Sequence, residues 1–491
     1  MRSSGILLPV FALPSQYGIG CFSIEAYEFV DMLKRAGQKY WQILPLCPVG
    51  KGNSPYQSFS TYAGNPYFID LGALVAEGLL SHGECDEFTY SQESSRVEYE
   101  LVYASREVLF RKAYERFSVN DDFGNFTREN GYWLEDYVLY MAIKADNDGQ
   151  GWTTWAAQLR DRSPSVLQEM REELADELQY HRFLQYKFYQ QWRRLKAYAN
   201  ENGIEIVGDI PIYVAFDSAD TWANPLVFQF NENNEPIAVA GCPPDGFSET
   251  GQIWESPLYS WEYHRETGYQ WWLQRMQHTF SLYDVVRIDH FRGFESYYSI
   301  PYGDETAQFG HWEKGPGIEF FNILKERLGD MNVIAEDLGL LTDEVRQLVA
   351  DTNFPNMKVI EFAFDAGSDC EYLPHHYGEN CIVYTGTHDN DTLVGWIRSM
   401  SEYTKTFSDE YLNIASKDEH EKAWAFIRAV LAAVAKVAII PMQDYLCLGS
   451  EARMNKPSTV GQNWEWRLRQ GQITEELLVE IKKLTTIYGR C

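Results

Sequence analysis

Eight runs of apolar, β-branched and aromatic residues recur along the chain, at 5–14, 40–46, 204–214, 285–291, 332–338, 357–364, 381–389 and 438–446. They are too continuous to alternate between a wet and a dry face, so they suit strands buried on both sides. Segments with helical spacing stand between most of them, at 24–36, 181–201, 262–282, 317–329 and 342–352. Strand-then-helix alternation repeated around eight runs predicts a (β/α)8 TIM barrel of parallel strands.

The spacing of the runs is uneven. About 155 residues separate the second from the third, far more than a crossover needs, which predicts an inserted, largely helical subdomain. Its own helical segments lie near 132–145 and 167–178. The chain accordingly divides into 1–46 with barrel strands 1 and 2, an insertion and return helix at 47–203, and 204–491 with strands 3–8. Within the last part, 215–261 is rich in Pro, Gly, Asn and Asp and reads as a long ordered loop over the active site. A helical run at 474–487 follows the eighth strand.

In such a barrel the chemistry sits at the carboxyl ends of the strands, so the polar residues closing the apolar runs carry the information. Three runs close on acids. Val285-Val286-Arg287-Ile288-Asp289-His290 puts Arg287 and Asp289 two apart, on one face of a strand, where the cation favours an ionised, nucleophilic Asp289. Asn332-Val333-Ile334-Ala335-Glu336 ends in an acid whose apolar surroundings and carboxylate neighbour favour a raised pKa and a proton-donating role. Tyr384-Thr385-Gly386-Thr387-His388-Asp389 supplies a third acid beside an imidazole, suited to sugar hydroxyls. Any one of these acids is as well explained as a strand cap. Three in register across one barrel are not. A nucleophile and an acid at adjacent strand ends also fit the separation of about 5–5.5 Å that double displacement with retention needs.

Composition narrows the partners. Asp plus Glu number 71 against 42 Lys plus Arg, a net charge of −29, which repels phosphate backbones and anionic lipid and excludes nucleic acid and membrane as partners. Fifteen Trp, 32 Tyr and 27 Phe fill cores and also suit sugar faces. The eight cysteines show no C-x-x-C pairing, and no metal-ligand cluster is visible, so neither zinc nor a disulfide framework is expected and a reducing compartment is the simpler setting. The early apolar run Ile6–Val10 is too short for a signal peptide, and no stretch reaches membrane-spanning length.

The segments Val286-Arg287-Ile288-Asp289-His290-Phe291-Arg292-Gly293-Phe294, Ala335-Glu336-Asp337-Leu338-Gly339 and Gly386-Thr387-His388-Asp389-Asn390-Asp391-Thr392 closely resemble the amylomaltases, or disproportionating enzymes, 4-α-glucanotransferases of the α-amylase superfamily. Ser54–Ser60, Ala63–Pro66, Pro243–Ser248 and Arg453–Asn455 extend the resemblance over nearly the whole chain. It implies Asp289 as nucleophile, Glu336 as acid/base and Asp389 as transition-state stabiliser, with Arg287 and His388 in support and His290 binding substrate, in a cytoplasmic enzyme that lacks the C-terminal β-domain of ordinary α-amylases. It also implies no cofactor or metal. The expected substrates are α-1,4-glucans, maltooligosaccharides and glucose, handled by a monomer or weak homodimer. Tyr56 resembles an aromatic platform near the scissile bond, and Asp245 through Tyr259 a loop arching over the cleft, with Asp245 and Trp254 toward substrate. Asp209 and Asn455 are candidates either for glucan hydrogen bonding or for architecture.

The chain departs from the family pattern where Gln252-Ile253-Trp254 is followed by Glu255 rather than Gly, and where Met454-Asn455-Lys456-Pro457 is followed by Ser458 rather than Gly. These departures bear on loop shape and acceptor preference. The same acids serve a retaining α-glucan hydrolase, which differs only in letting water reach the intermediate. A non-catalytic glucan-binding barrel is disfavoured because every expected acid is present.

Overall fold

A computed structural model of the protein describes residues 2–50, 52–244, 248–339, 341–459 and 461–491. Eight parallel strands close into a barrel: β1 (Ser3–Leu7), β2 (Tyr40–Gln42), β3 (Glu205–Pro211), β6 (Val285–Asp289), β9 (Val333–Ala335), β10 (Asn356–Val359), β11 (Cys381–Tyr384) and β12 (Val437–Pro441). Each falls within or against one of the eight apolar runs. The strands are shorter than the runs, because the apolar pattern continues past the last ladder bond into buried turns; the first run goes on from β1 into a 3-10 turn at Val10–Ala12. The order around the barrel follows the order along the chain, and β12 closes on β1 with Gly5 opposite Ile439.

The inside of the barrel is filled by Leu7, Val207, Ile334, Met357, Val359, Ile382, Tyr384 and Ile439, the inward-facing members of alternating pairs. Gly208 on β3 faces outward beneath the Tyr283 ring. A Cβ there would lie 2.1 Å from that ring, so only glycine lets the ring seat. Tyr283 in turn receives the Leu46 N–H on its hydroxyl oxygen at 3.3 Å, tying the end of the second run to the barrel wall.

The chain between β2 and β3 is mainly helical, with long helices at Tyr99–Arg116, Gly131–Asp146 and Ala175–Glu201. The last returns the chain to β3. On it, Gln185 bonds the backbone N–H and C=O of Gly64 at 2.7 and 2.8 Å, which holds the stretch following the Tyr56 loop. That loop is pinned from the other side: Asp220 accepts from the Thr61 N–H at 2.8 Å and its hydroxyl at 3.0 Å, and the Ala219 N–H donates to Phe59 O at 2.8 Å.

Two expectations need correction. The segment 215–261 is more than a loop: β4 (Ala238–Cys242) and β5 (Gln252–Pro257) lie within it and form, with β7 (Ser296–Pro301) and β8 (His311–Lys314), an antiparallel sheet ordered β5-β4-β7-β8. Short strands interrupted by Gly and Pro lack the alternation that would have marked them. The helical run at 262–282 is two helices, Trp261–Glu266 and Gln270–Leu282, broken where Gly268 and Tyr269 both take positive φ.

Candidate active site

The β3–β6 register places Asp209 opposite Arg287, and Pro211 opposite Asp289. Asp209 has no exposed surface, and its two oxygens lie 2.9 and 2.7 Å from Arg287 Nη1. The other terminal nitrogen, Nη2, lies 3.0 Å from Asp289 Oδ1, as two residues on one strand face permit. Arg287 also donates from Nε to the Met357 sulfur at 3.3 Å, so a fully buried cation is fixed between two carboxylates at the top of the barrel core.

One strand further on, Glu336 follows directly on β9. His290, just past β6, is held in the left-handed conformation at φ 53°, ψ 48°, a region in which histidine is found more often than most residues. This turn aims the His290 N–H at Glu336 Oε2, 2.7 Å away, while the Leu338 N–H reaches Oε1 at 2.8 Å. Each oxygen of Glu336 thus has a backbone donor, and the carboxyl can rotate little.

Asp389 differs from the expectation that strand 7 runs to it. It lies on a loop beyond Tyr384, the last residue of β11. The loop is held by side chains: Asn455 Nδ2 donates to Asp389 Oδ1 at 2.6 Å, His388 Nε2 lies 3.3 Å from Oδ2, and Arg453 Nη2 donates to the Asp389 carbonyl at 2.6 Å. The His388 ring is stacked on Tyr56, centroids 5.0 Å apart, and the Tyr56 hydroxyl donates to Asp209 Oδ2 at 2.8 Å. One continuous network therefore joins Asp389, His388, Tyr56, Asp209, Arg287 and Asp289.

The acids differ in charge preference. Burial raises Glu336 to about 7, opposed by Arg287 and reinforced by Asp289; burial raises Asp289 to about 6, opposed by Arg287 in direct contact. Arg287 alone therefore does not keep Asp289 low, because its charge is shared with Asp209. Of the two, Asp289 has a cation at its oxygen and Glu336 has backbone donors at both of its own, which favours Glu336 as the protonated member of the pair. For Asp389 burial pushes upward but is outweighed by His388, Asn455 and Arg287, which hold the carboxyl at about 2. His388 is correspondingly raised, Asp389 overcoming the effect of burial. Asp289 and Asp389 keep 29% and 44% of their side-chain surface open, so both face the cleft, whereas Arg287 and His388 lie beneath it.

Trp254 stands edge-on to the His290 ring at 4.8 Å. Its position comes from a bulge: Gly241 pairs with Ile253 and Val239 with Pro257, so residues 254–256 oppose Ala240 alone. Glu255 occupies the middle of this bulge with φ 57°, a conformation glycine would take without strain. The second departure is similar, since Ser458 has φ 61°. Both side chains adopt the left-handed backbone rather than forbid it. Asp245 lies outside the described residues.

Trp464 was not anticipated. Its ring lies 5.8 Å from Tyr56 and 5.9 Å from His388, and its carbonyl accepts from Tyr99 Oη at 2.7 Å. A tryptophan late in the chain reads as core, so no local signal marks it. Among the described residues, no group of three or more His, Cys, Asp or Glu is arranged to hold a metal, all eight cysteines are free, and no helix is long and apolar enough to cross a membrane.

A closed parallel barrel with carboxylates gathered at the carboxyl ends of its strands has the form of a carbohydrate-active enzyme. The chain belongs to the 4-alpha-glucanotransferase family, whose model matches residues 8–474. It is 49% identical over 494 residues to a 4-alpha-glucanotransferase of Streptococcus pneumoniae, covering 100% of this chain and 97% of that one. It is 47% identical over 486 residues to that of Clostridium butyricum, covering 98% and 99%. Its fold matches the amylomaltase from Streptococcus agalactiae in complex with acarbose with a TM-score of 0.97, at 39% identity and full coverage of both chains. The protein is thus a glycosyltransferase of the glucanotransferase type, and the hydrolase reading is not favoured.

Proposed function

We propose that transfer runs by double displacement on Asp289, with Glu336 as the acid/base and Asp389 holding ring hydroxyls of the distorted sugar. In the first step the Asp289 carboxylate attacks the anomeric carbon of an α-1,4-linked glucose, the bond from that carbon to the leaving 4-oxygen breaks, and Glu336 gives its proton to that oxygen. In the second, the 4-hydroxyl of glucose or a maltooligosaccharide attacks the same carbon, Glu336 takes the hydroxyl proton, and the ester to Asp289 breaks. Two inversions leave the α-configuration intact.

The observation that carries this reading is the division of protonation among the acids. Glu336 is raised and free of cations at its oxygens, Asp389 is held low, and Asp289 lies against Arg287 with an open face. That is the charge distribution a proton donor, an anionic hydroxyl acceptor and a nucleophile require. Tyr56 and Trp254 serve as sugar contacts above the acids. His290 Nε2, buried without a hydrogen-bond partner, is available to a sugar hydroxyl. Asp209 serves architecture instead, because Arg287 and Tyr56 occupy its carboxylate. Asn455 acts through Asp389.

Purified protein given maltotriose alone should form glucose and a ladder of longer maltooligosaccharides while total reducing ends stay nearly constant. A steady rise in reducing ends without longer products would mean that water, not sugar, takes the intermediate.

A further inference from the structure

Glu361 lies just past β10, in the 3-10 turn Ile360–Phe362, and is 4% exposed. It has no role in the chemistry above and, among the described residues, no arginine or lysine ion pair. Its Oε2 accepts from Asn390 Nδ2 at 3.0 Å. Asn390 Oδ1 in turn accepts from the Thr387 N–H at 3.0 Å and the Thr387 hydroxyl at 2.9 Å, which fixes the orientation of the amide. Thr387 Oγ1 then accepts the Asp389 N–H at 3.3 Å. A buried carboxyl thus reaches the backbone of Asp389 through two side chains.

Gly386 makes room for this arrangement. A Cβ there would lie 3.0 Å from Glu361 Oε1 and 3.1 Å from Asn390 Cβ, although its φ is one that any residue adopts. The glycine therefore eases the close approach of these two side chains and is not required by the turn. Nearby, the Thr385 hydroxyl and the Leu393 N–H donate to Asp444 at 2.5 and 2.8 Å, and Ser450 Oγ donates to Asp391 at 2.7 Å. The underside of the loop is thus built from acids accepting hydrogen bonds, with its two catalytic-face residues, His388 and Asp389, on top.

We propose that Glu361 is a positioning residue for Asp389: through Asn390 and Thr387 it sets the height and tilt of the loop that presents this acid to the sugar. The proposal rests on the reading of Asp389 as transition-state stabiliser. Burial, then Asp444 and Asp391, favour the protonated form of Glu361, against Asn390 and Arg453. A neutral acid keeps Oε2 as an acceptor for Asn390, as the glutamine oxygen would.

The test compares Glu361→Gln, Glu361→Ala and Asn390→Ala with the parent and Asp389→Asn, measuring kcat and KM for maltotriose disproportionation per folded molecule, with Tm alongside. Glu361→Ala and Asn390→Ala should each lower kcat by about 10- to 100-fold with little change in KM, since sub-ångström misplacement of a catalytic group costs on this scale. Glu361→Gln should stay within about threefold of the parent because the acceptor is retained. Combining the two alanine changes should lower kcat no further than one of them. Alanine variants that lose Tm but keep parental kcat per folded molecule would overturn the proposal, as would a Gln variant as slow as Ala. If Glu361→Ala does not fold, Asn390→Ala carries the decision alone. An active Asp389→Asn would instead remove the role of Asp389 itself, whereas an inactive one beside unaffected alanine variants removes only the role of Glu361.

Discussion

Asp289 and Glu336 close or directly follow barrel strands, where parallel neighbours hold the backbone on both sides and backbone N–H groups hold the Glu336 side chain. Tyr56 and Trp254, which stand above them, are carried differently. Tyr56 rides on a loop tied down by side chains of other segments, and Trp254 on β5, an edge strand that among the described residues pairs with β4 alone and bulges at the tryptophan. Asp389 lies between these cases: a catalytic-type acid carried by a loop and held by Asn455, His388 and Arg453. On the proposed reading, the two acids that exchange bonds and protons with the sugar sit on the barrel wall, and the aromatic sugar contacts sit on segments that can vary without disturbing it.

This contrast can be broken most sharply at the floor. Asp289→Asn and Glu336→Gln should each lower transfer by about 10³-fold or more, because they remove the proposed nucleophile and proton donor; Tm should stay close to that of the parent for Asp289→Asn and fall for Glu336→Gln, whose amide nitrogen meets a backbone N–H. Near-parental turnover of the Asp289 variant would end the double-displacement assignment. Asp389→Asn should be nearly as severe. Asn455→Ala should cost about tenfold to 100-fold, since it frees one carboxylate oxygen but leaves His388 in place.

The pH dependence sharpens the same division. Activity as kcat/KM should rise with pH as Asp289 loses its proton, near about 6, and fall as Glu336 loses its own, near about 7. The two limbs belong to the coupled pair rather than to either residue. A profile flat from pH 5 to 9, measured with the same substrate, would contradict this placement of the proton.

Changes in the cover should matter less. Tyr56→Phe removes the hydroxyl bonded to Asp209 but leaves Arg287 paired with that acid, so a stability loss of about 1 kcal/mol is expected, with donor cleavage largely retained. A chemical denaturation curve decides it. The smallest effect is expected at Glu255→Gly. Relief of a left-handed conformation worth about 1 kcal/mol is offset by the greater freedom of glycine in the unfolded chain. Acceptor kinetics and the small hydrolysis fraction should shift while donor cleavage does not. Unchanged glucose-acceptor kinetics in this variant would make the departure neutral.

What could be read without coordinates was whatever depends on local pattern. Eight strands were legible because strands buried on both faces must be apolar throughout, and the acids were legible because strand capping explains one charged residue ending such a run but not three in register. The shared face of Arg287 and Asp289 followed from the two-residue period alone. The family membership rested on strings of adjacent residues, which folding does not rearrange. The small antiparallel sheet was not legible, since β4, β5, β7 and β8 come from separate segments and are short, glycine-interrupted or bulged. Nor was the network from Asp389 through His388, Tyr56 and Asp209 to Arg287, whose members are scattered over the chain and meet only when the barrel closes. Protonation was decided at the same level. Sequence adjacency suggested that Arg287 keeps Asp289 ionised, but the fold divides that cation between Asp209 and Asp289 and buries Arg287 and Asp209, so desolvation and shared charge, neither of them a local property, raise Asp289 instead.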